Sequence, residues 1–127
     1  MDIWHIRGGN KLEGTCFVQG SKNASLPIIA ASIAAPARSE MTNVPQQRDV
    51  DAALRILRHL GCTAEQLWND VYIDSTWLTE STIPHSLMLE MRSSVIFMGA
   101  LLARCGVARL SLPGGCQLGK RPIDIHL

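Results

Sequence analysis

The chain has 127 residues, 46% of them hydrophobic and 18% charged, with a formal net charge of +1; that balance suits a globular domain with a sizeable core, since domains most often run to roughly 100 to 150 residues. A charge so near zero leaves no footprint for nucleic acid or an acidic membrane surface, each of which calls for a clustered basic excess, so any anion must be bound at a local site. The start, Met1-Asp2-Ile3-Trp4-His5-Ile6-Arg7, has no apolar run of signal-peptide length, and the most apolar window, Ser93 to Ala103, covers 11 residues between Arg92 and Arg104 against roughly 20 for a bilayer crossing. A cytosolic protein without membrane contact is expected.

In chain order, Ile3 to Arg7 and Gly14 to Gln19 suit two strands around the Gly8-Gly9-Asn10 turn. A helix follows, ending near Ala35-Pro36, and its start is open: Ser21 can cap it with Pro27 inside, or Ser25 can cap it with Pro27 in the first turn. Glu40 to Val44 reads as a short strand. After Pro45 a helix carries an apolar stripe at Val50, Ala53, Leu54, Leu57 and Leu60 and ends at Gly61. Cys62 to Trp68 and Val71 to Asp74 flank an expected Asn69-Asp70 hairpin turn. A long helix is expected from about Ser86 to Arg104, with Met88, Met91, Val95, Met98 and Leu102 on one face as core packing and Gly106 at its end. Leu87, Ile96, Phe97 and Leu101 beside that stripe call for enclosure on several sides. Val107 to Leu112 reads as a strand broken by Pro113-Gly114-Gly115, and Arg121-Pro122-Ile123-Asp124 as a helix opening whose body is expected to lie past Leu127. Strands alternating with helices predict an α/β layered architecture.

The four cysteines, Cys16, Cys62, Cys105 and Cys116, form no Cys-x-x-Cys pair, so neither a zinc cage nor a disulfide framework is expected. Three read as small buried hydrophobes. Cys116 differs: it lies in Pro113-Gly114-Gly115-Cys116-Gln117-Leu118-Gly119-Lys120-Arg121, a Gly-rich loop directly after a strand, with two cations within five residues. Those cations can bind an anion and favour the thiolate if they fold close; the plainer reading is a solvated loop with an incidental cysteine. Lys22 stands where the positive end of a helix dipole disfavours a cation, a conflict that a bound anion would relieve, although extension into water would also relieve it. Arg92 divides similarly between surface charge and an inward-facing ligand contact. A Cys116–His126 nucleophile pair finds no orienting third group.

The runs Gly20-Ser21-Lys22-Asn23-Ala24-Ser25-Leu26-Pro27, Asn43-Val44-Pro45 before Asp49-Val50-Asp51, Met91-Arg92-Ser93-Ser94 and above all Leu112-Pro113-Gly114-Gly115-Cys116 through Ile125-His126 resemble the UDP-N-acetylglucosamine enolpyruvyl transferases, collinearly over the whole chain. The resemblance implies an inside-out α/β barrel of six βαβαββ units in two lobes, of which this chain would supply one unit and part of a second. Residues 1–20 would be strands that pack with the other lobe, and residues 21–127 an incomplete first lobe. It implies transfer of the enolpyruvyl group of phosphoenolpyruvate to the 3-hydroxyl of UDP-N-acetylglucosamine, the first committed step of peptidoglycan synthesis, without metal or organic cofactor. By the same carry-over Cys116 is the catalytic cysteine. Lys22, Arg92 and Arg121 contact phosphoenolpyruvate, and Asn23 with Arg121, Pro122, Ile123 and Asp124 contacts the sugar nucleotide. Family members are about three times as long, so an inactive fragment is expected, with self-association through surface that the absent units would cover; the rival reading is a non-catalytic anion- or sugar-nucleotide-binding module.

Overall fold

The structure, a computed structural model, describes residues 3–114. Helix α1 spans Lys22–Ala31. Ser21 caps it through its side chain, which accepts the Ala24 N–H at 3.4 Å, and Pro27 lies inside it; of the two starts left open by the sequence, the earlier one forms. Pro27 has no N–H, so the Asn23 carbonyl one turn before it lacks its helical donor. Strand β1 is Arg38–Met41, helix α2 is Arg48–His59, and strands β2 (Thr63–Leu67) and β3 (Asp70–Asp74) form a hairpin. The three strands make an antiparallel sheet in the order β1-β3-β2. Asp49 and Asp51 in the first turn of α2 and Arg58 and His59 in its last complement the helix dipole at both ends. Gly61, at φ +95, turns the chain out of the helix just after its cap Leu60, which a residue with a Cβ does only under strain.

The core lies between the helices and one sheet face. Ile29 and Ile33, Val50, Ile56 and Leu57, and Val71 are all completely buried. The alternation of β3, with Val71 and Ile73 inward and Tyr72 exposed, is what a sheet covered on one face requires. Buried Ser75 fastens the far end: its hydroxyl lies 3.0 Å from the Ser32 and Ala35 carbonyls and accepts the Ala37 N–H at 3.3 Å.

Several expectations are corrected; β1 begins two residues before the expected Glu40 to Val44, and α1 ends at Ala31, short of Ala35-Pro36. Residues 3–19 contain no strand and are exposed throughout; a strand exists only through a ladder partner, and an isolated hairpin is at best marginal in water. The hairpin turn falls one residue early, since Leu67 pairs with Asp70 and the loop is Trp68-Asn69, with Trp68 at φ +55. The long helix is broken into α3 (His85–Met88), a 3-10 turn at Ser94–Ile96 and α4 (Phe97–Cys105). Its burial follows Met88, Met91, Phe97 and Leu101, while Leu102 is exposed. The break comes where the Ser94 hydroxyl donates back to the Met88 carbonyl at 3.1 Å, the kind of local side-chain bond that competes with helix. The strand expected to Leu112 shrinks to β5, Arg109–Leu110, pairing in parallel with β4, Thr82–Ile83. Gly106 does close α4 as its left-handed cap.

Candidate functional site

Lys22 is the first residue of α1, behind its cap, in a first turn that holds no acid. The carboxylate that answers its charge comes from 27 residues away: Lys22 Nζ donates to Asp49 Oδ2 of α2 at 2.7 Å, with the two side chains 37% and 31% exposed. Such a pair is worth about 1 kcal/mol at most, so its weight is in placement. It takes one of the three N–H groups of the ammonium and leaves two for other acceptors. The two helices meet closely here because Gly20 lies against the loop before α2. A Cβ on Gly20 would come within 1.6 Å of the Asn43 carbonyl oxygen. Asn43 is itself left-handed (φ +57), and Val44 next to it donates to Asn69 O at 2.7 Å. Asn23 follows Lys22 and is exposed.

Arg92 occupies the turn between α3 and the 3-10 turn and is half-buried. Its neighbours are held firmly: Met91 is 1% exposed and Ser94 is fully buried, and Glu90 accepts from Arg55 of α2 at 2.5 Å. The chain beyond β5 comes back to the same place. Gly114 N–H donates to the Met88 carbonyl at 2.9 Å, and a Cβ on Gly114 would fall 2.3 Å from Leu89 Cα. The entrance to the Gly-rich loop is thus docked on the turn that carries Arg92.

Among the described residues, no hydrogen bond or ion pair joins Lys22, Asn23 and Arg92 to one another. Cys116, Arg121, Pro122, Ile123 and Asp124 lie outside the described residues, as does His126. Of the other cysteines, Cys62 is the small buried hydrophobe expected, and its burial pushes the thiol up to about 11. Cys16 and Cys105 are exposed, against expectation. Three concavities have linings that include neither Lys22 nor Arg92: one of about 460 Å³ on the outer sheet face around Tyr72 and Glu40, one of about 490 Å³ at the start of α2 around Arg48 and Asp51, and one of about 300 Å³ between α1 and α4 around Ala31 and Gly99. No group of three or more His, Cys, Asp or Glu side chains among the described residues is placed to hold a metal, and no helix there is long and apolar enough to cross a membrane.

Asp49, Gly20 and Ser94 stand within the runs quoted from the sequence, which assigned none of them a contact. Asp49 carries a weak local signal, an acid in the first turn of a helix, which says nothing about a lysine 27 residues earlier.

The architecture is α/β. It superposes on the crystal structure of the enolpyruvyl transferase NikO from Streptomyces tendae with a TM-score of 0.72 and 26% identity, over 80% of this chain and 24% of that one. Residues 6–127 match the family described as EPSP synthase (3-phosphoshikimate 1-carboxyvinyltransferase), and the chain belongs to that family. Within it, the chain is similar along its whole length to proteins named UDP-N-acetylglucosamine 1-carboxyvinyltransferase, at 48% identity in Geotalea uraniireducens and 45% in Wigglesworthia glossinidia brevipalpis. It spans 30% of the length of each of these relatives.

Proposed function

We propose that this chain is the Lys22- and Cys116-bearing part of a cytoplasmic enolpyruvyl transferase that moves the enolpyruvyl group of phosphoenolpyruvate to the 3-hydroxyl of UDP-N-acetylglucosamine, the first committed step of peptidoglycan synthesis. The observation that carries the reading is the Lys22 ammonium, tethered by Asp49 at the start of α1 and able to donate further to an anion there. In this reading Lys22, Arg92 and Arg121 hold phosphoenolpyruvate, and Asn23, Arg121, Pro122, Ile123 and Asp124 hold the sugar nucleotide. The sugar hydroxyl oxygen bonds to C2 of the enolpyruvate, its proton passing to a base, as C3 gains a proton; a C3 proton and the C2–O bond to phosphate are then lost, which releases inorganic phosphate and regenerates the double bond. Negative charge moves from carboxylate and enol toward the departing phosphate, so fixed cations aimed at it lower the barrier. Cys116 serves as proton donor or as the thiol that adds covalently to C2. No metal or organic cofactor takes part.

The division at residue 20 belongs to the same proposal: the unpartnered arm exposes Trp4, Ile6, Phe17 and Val18, side chains suited to packing with another lobe. Left uncovered, they promote self-association. The chain alone should release no phosphate from phosphoenolpyruvate in a sugar-nucleotide-dependent manner, because half a cleft does not hold a near-attack geometry. A chimera in which it replaces the first 127 residues of the Geotalea uraniireducens relative should turn over. Rapid turnover by the chain alone would refute the half-cleft argument, and an inactive but folded chimera would refute the assignment. Because the chain spans only 30% of its relatives, the second reading is a binding module without catalysis; calorimetric binding of UDP-N-acetylglucosamine by the chain, with an inactive chimera, would favour it.

A further inference from the structure

We infer that Ser94 is a positioning residue of the anion site, which holds the Arg92 turn and the root of the Gly-rich loop in one fixed arrangement through the Met88 carbonyl. The inference rests on the proposed role of Arg92. Met88 ends α3, and its carbonyl is one of those a helix leaves without an intrahelical donor. Two donors reach that oxygen, the Gly114 N–H at 2.9 Å and the Ser94 hydroxyl at 3.1 Å. Gly114 alone satisfies it, so the Ser94 bond is not needed to remove an unpaired buried group. What the second bond adds is closure: it joins residues 88 and 94 across the turn that presents Arg92. Ser94 is fully buried. A hydroxyl there brings a desolvation cost that its bond offsets, and the bond fixes direction where packing alone would not.

The shared acceptor also couples two pieces of chain that are distant in sequence. Opening the Ser94 bond frees the turn between Met88 and Ser94, and with it the surface on which Gly114 docks, since that residue stands against Leu89 with no space for a Cβ. Arg92 and the chain entering the loop therefore shift together. The Arg55–Glu90 pair at 2.5 Å holds the outer side of the same turn to α2, so the turn is restrained from both sides.

Ser94→Ala tests this in two settings. In the chain itself, hydrogen exchange at the Gly114 amide should accelerate by roughly tenfold, the scale of one lost buried hydrogen bond, and Arg92 should react faster with phenylglyoxal, while the amides of β2 and β3 keep their rates. In the active chimera the same substitution should raise the KM for phosphoenolpyruvate several-fold more than that for UDP-N-acetylglucosamine, and Ser94→Thr, which keeps the hydroxyl, should restore most of the difference. Equal acceleration at all amides would mean general loosening and overturn the proposal, as would unchanged exchange at Gly114 or an equal change in both KM values. If the unsubstituted chimera proves inactive, the functional reading fails, and the exchange and phenylglyoxal measurements alone decide the role of Ser94.

Discussion

Two regions of the described chain are built on different principles. From Lys22 to Ser75, helices of 10 and 12 residues cover a three-stranded sheet, and the side chains that hold them are buried on a regular period. From Thr82 to Gly114 one nine-residue helix, α4, is joined to shorter elements: two two-residue strands, a four-residue helix and a three-residue 3-10 turn. There the arrangement depends on single polar bonds such as Ser94 to Met88 and Gly114 to Met88. The difference teaches where chemistry can be placed. Lys22 sits at the rim of the periodic region and is aimed by a cross-helix ion pair, whereas Arg92 is carried by a turn whose shape no periodic burial dictates.

The largest expected effect comes from attacking the periodic region at its centre. Leu57 is completely buried, and Leu57→Ala should cost about 3 kcal/mol, the transfer loss plus the cavity. Because domains of this size hold only about 5 to 15 kcal/mol in all, thermal unfolding should shift strongly and include every element. Met88→Ala, at an equally buried position, should instead speed amide exchange chiefly from His85 to Gly114. If both variants loosen the same amides, the two regions are one cooperative unit and the comparison fails.

Ser75 marks the seam between a loop end and the sheet. Ser75→Ala removes a hydroxyl that lies within 3.1 Å of three carbonyls and accepts the Ala37 N–H, which should cost about 2 kcal/mol in a denaturant titration. An effect below about 0.5 kcal/mol would show that the surrounding carbonyls find water instead.

Most of the periodic region was legible in the sequence, because α2, with its stripe from Val50 to Leu60, and the β2–β3 hairpin need only local patterning and turn residues. The broken region was not. Met88, Met91, Val95 and Met98 keep helical spacing, and nothing in that spacing reveals that Ser94 turns back to Met88. The first strands failed for a different reason, since Ile3 to Arg7 and Gly14 to Gln19 have strand composition but no ladder partner in the described chain. At the proposed site, Lys22 and Arg92 were candidates from charge and position and Asn23 from motif resemblance, while the contacts of Asp49 and Gly20 are ones that no local pattern records.

A smaller effect separates the end of the central strand from the core by pH. Asp74 is held down to about 2 from an ordinary 3.8 by hydrogen bonds from Thr76, first its side chain and then its backbone, and by Arg38. A depressed carboxylate contributes stability that is complete above its unfolded value and is lost as pH falls from 3.8 toward 2. Asp74→Asn should therefore flatten the acid limb of the stability profile in that window and leave the profile near neutrality parallel to that of the parent. An unchanged acid limb would assign the pH dependence to other carboxylates.

The smallest effect has the opposite sign. Trp68 opens the Trp68-Asn69 hairpin loop at φ +55 with 86% of its surface exposed, so the position demands a left-handed backbone and receives little packing in return. The left-handed conformation costs a residue with a Cβ roughly 1 to 2 kcal/mol. Glycine removes that cost but loses more entropy on folding, by roughly 0.5 to 1 kcal/mol, and the difference leaves Trp68→Gly about 0.5 kcal/mol more stable. The hydrogen bond from Gln46 to the Trp68 carbonyl at 3.0 Å uses backbone and survives the change. A small rise in the unfolding midpoint at unchanged cooperativity is the expected result. A fall would mean that the indole contributes to the fold through contacts its exposure does not suggest, and that even in the periodic region one turn is set by a specific side chain.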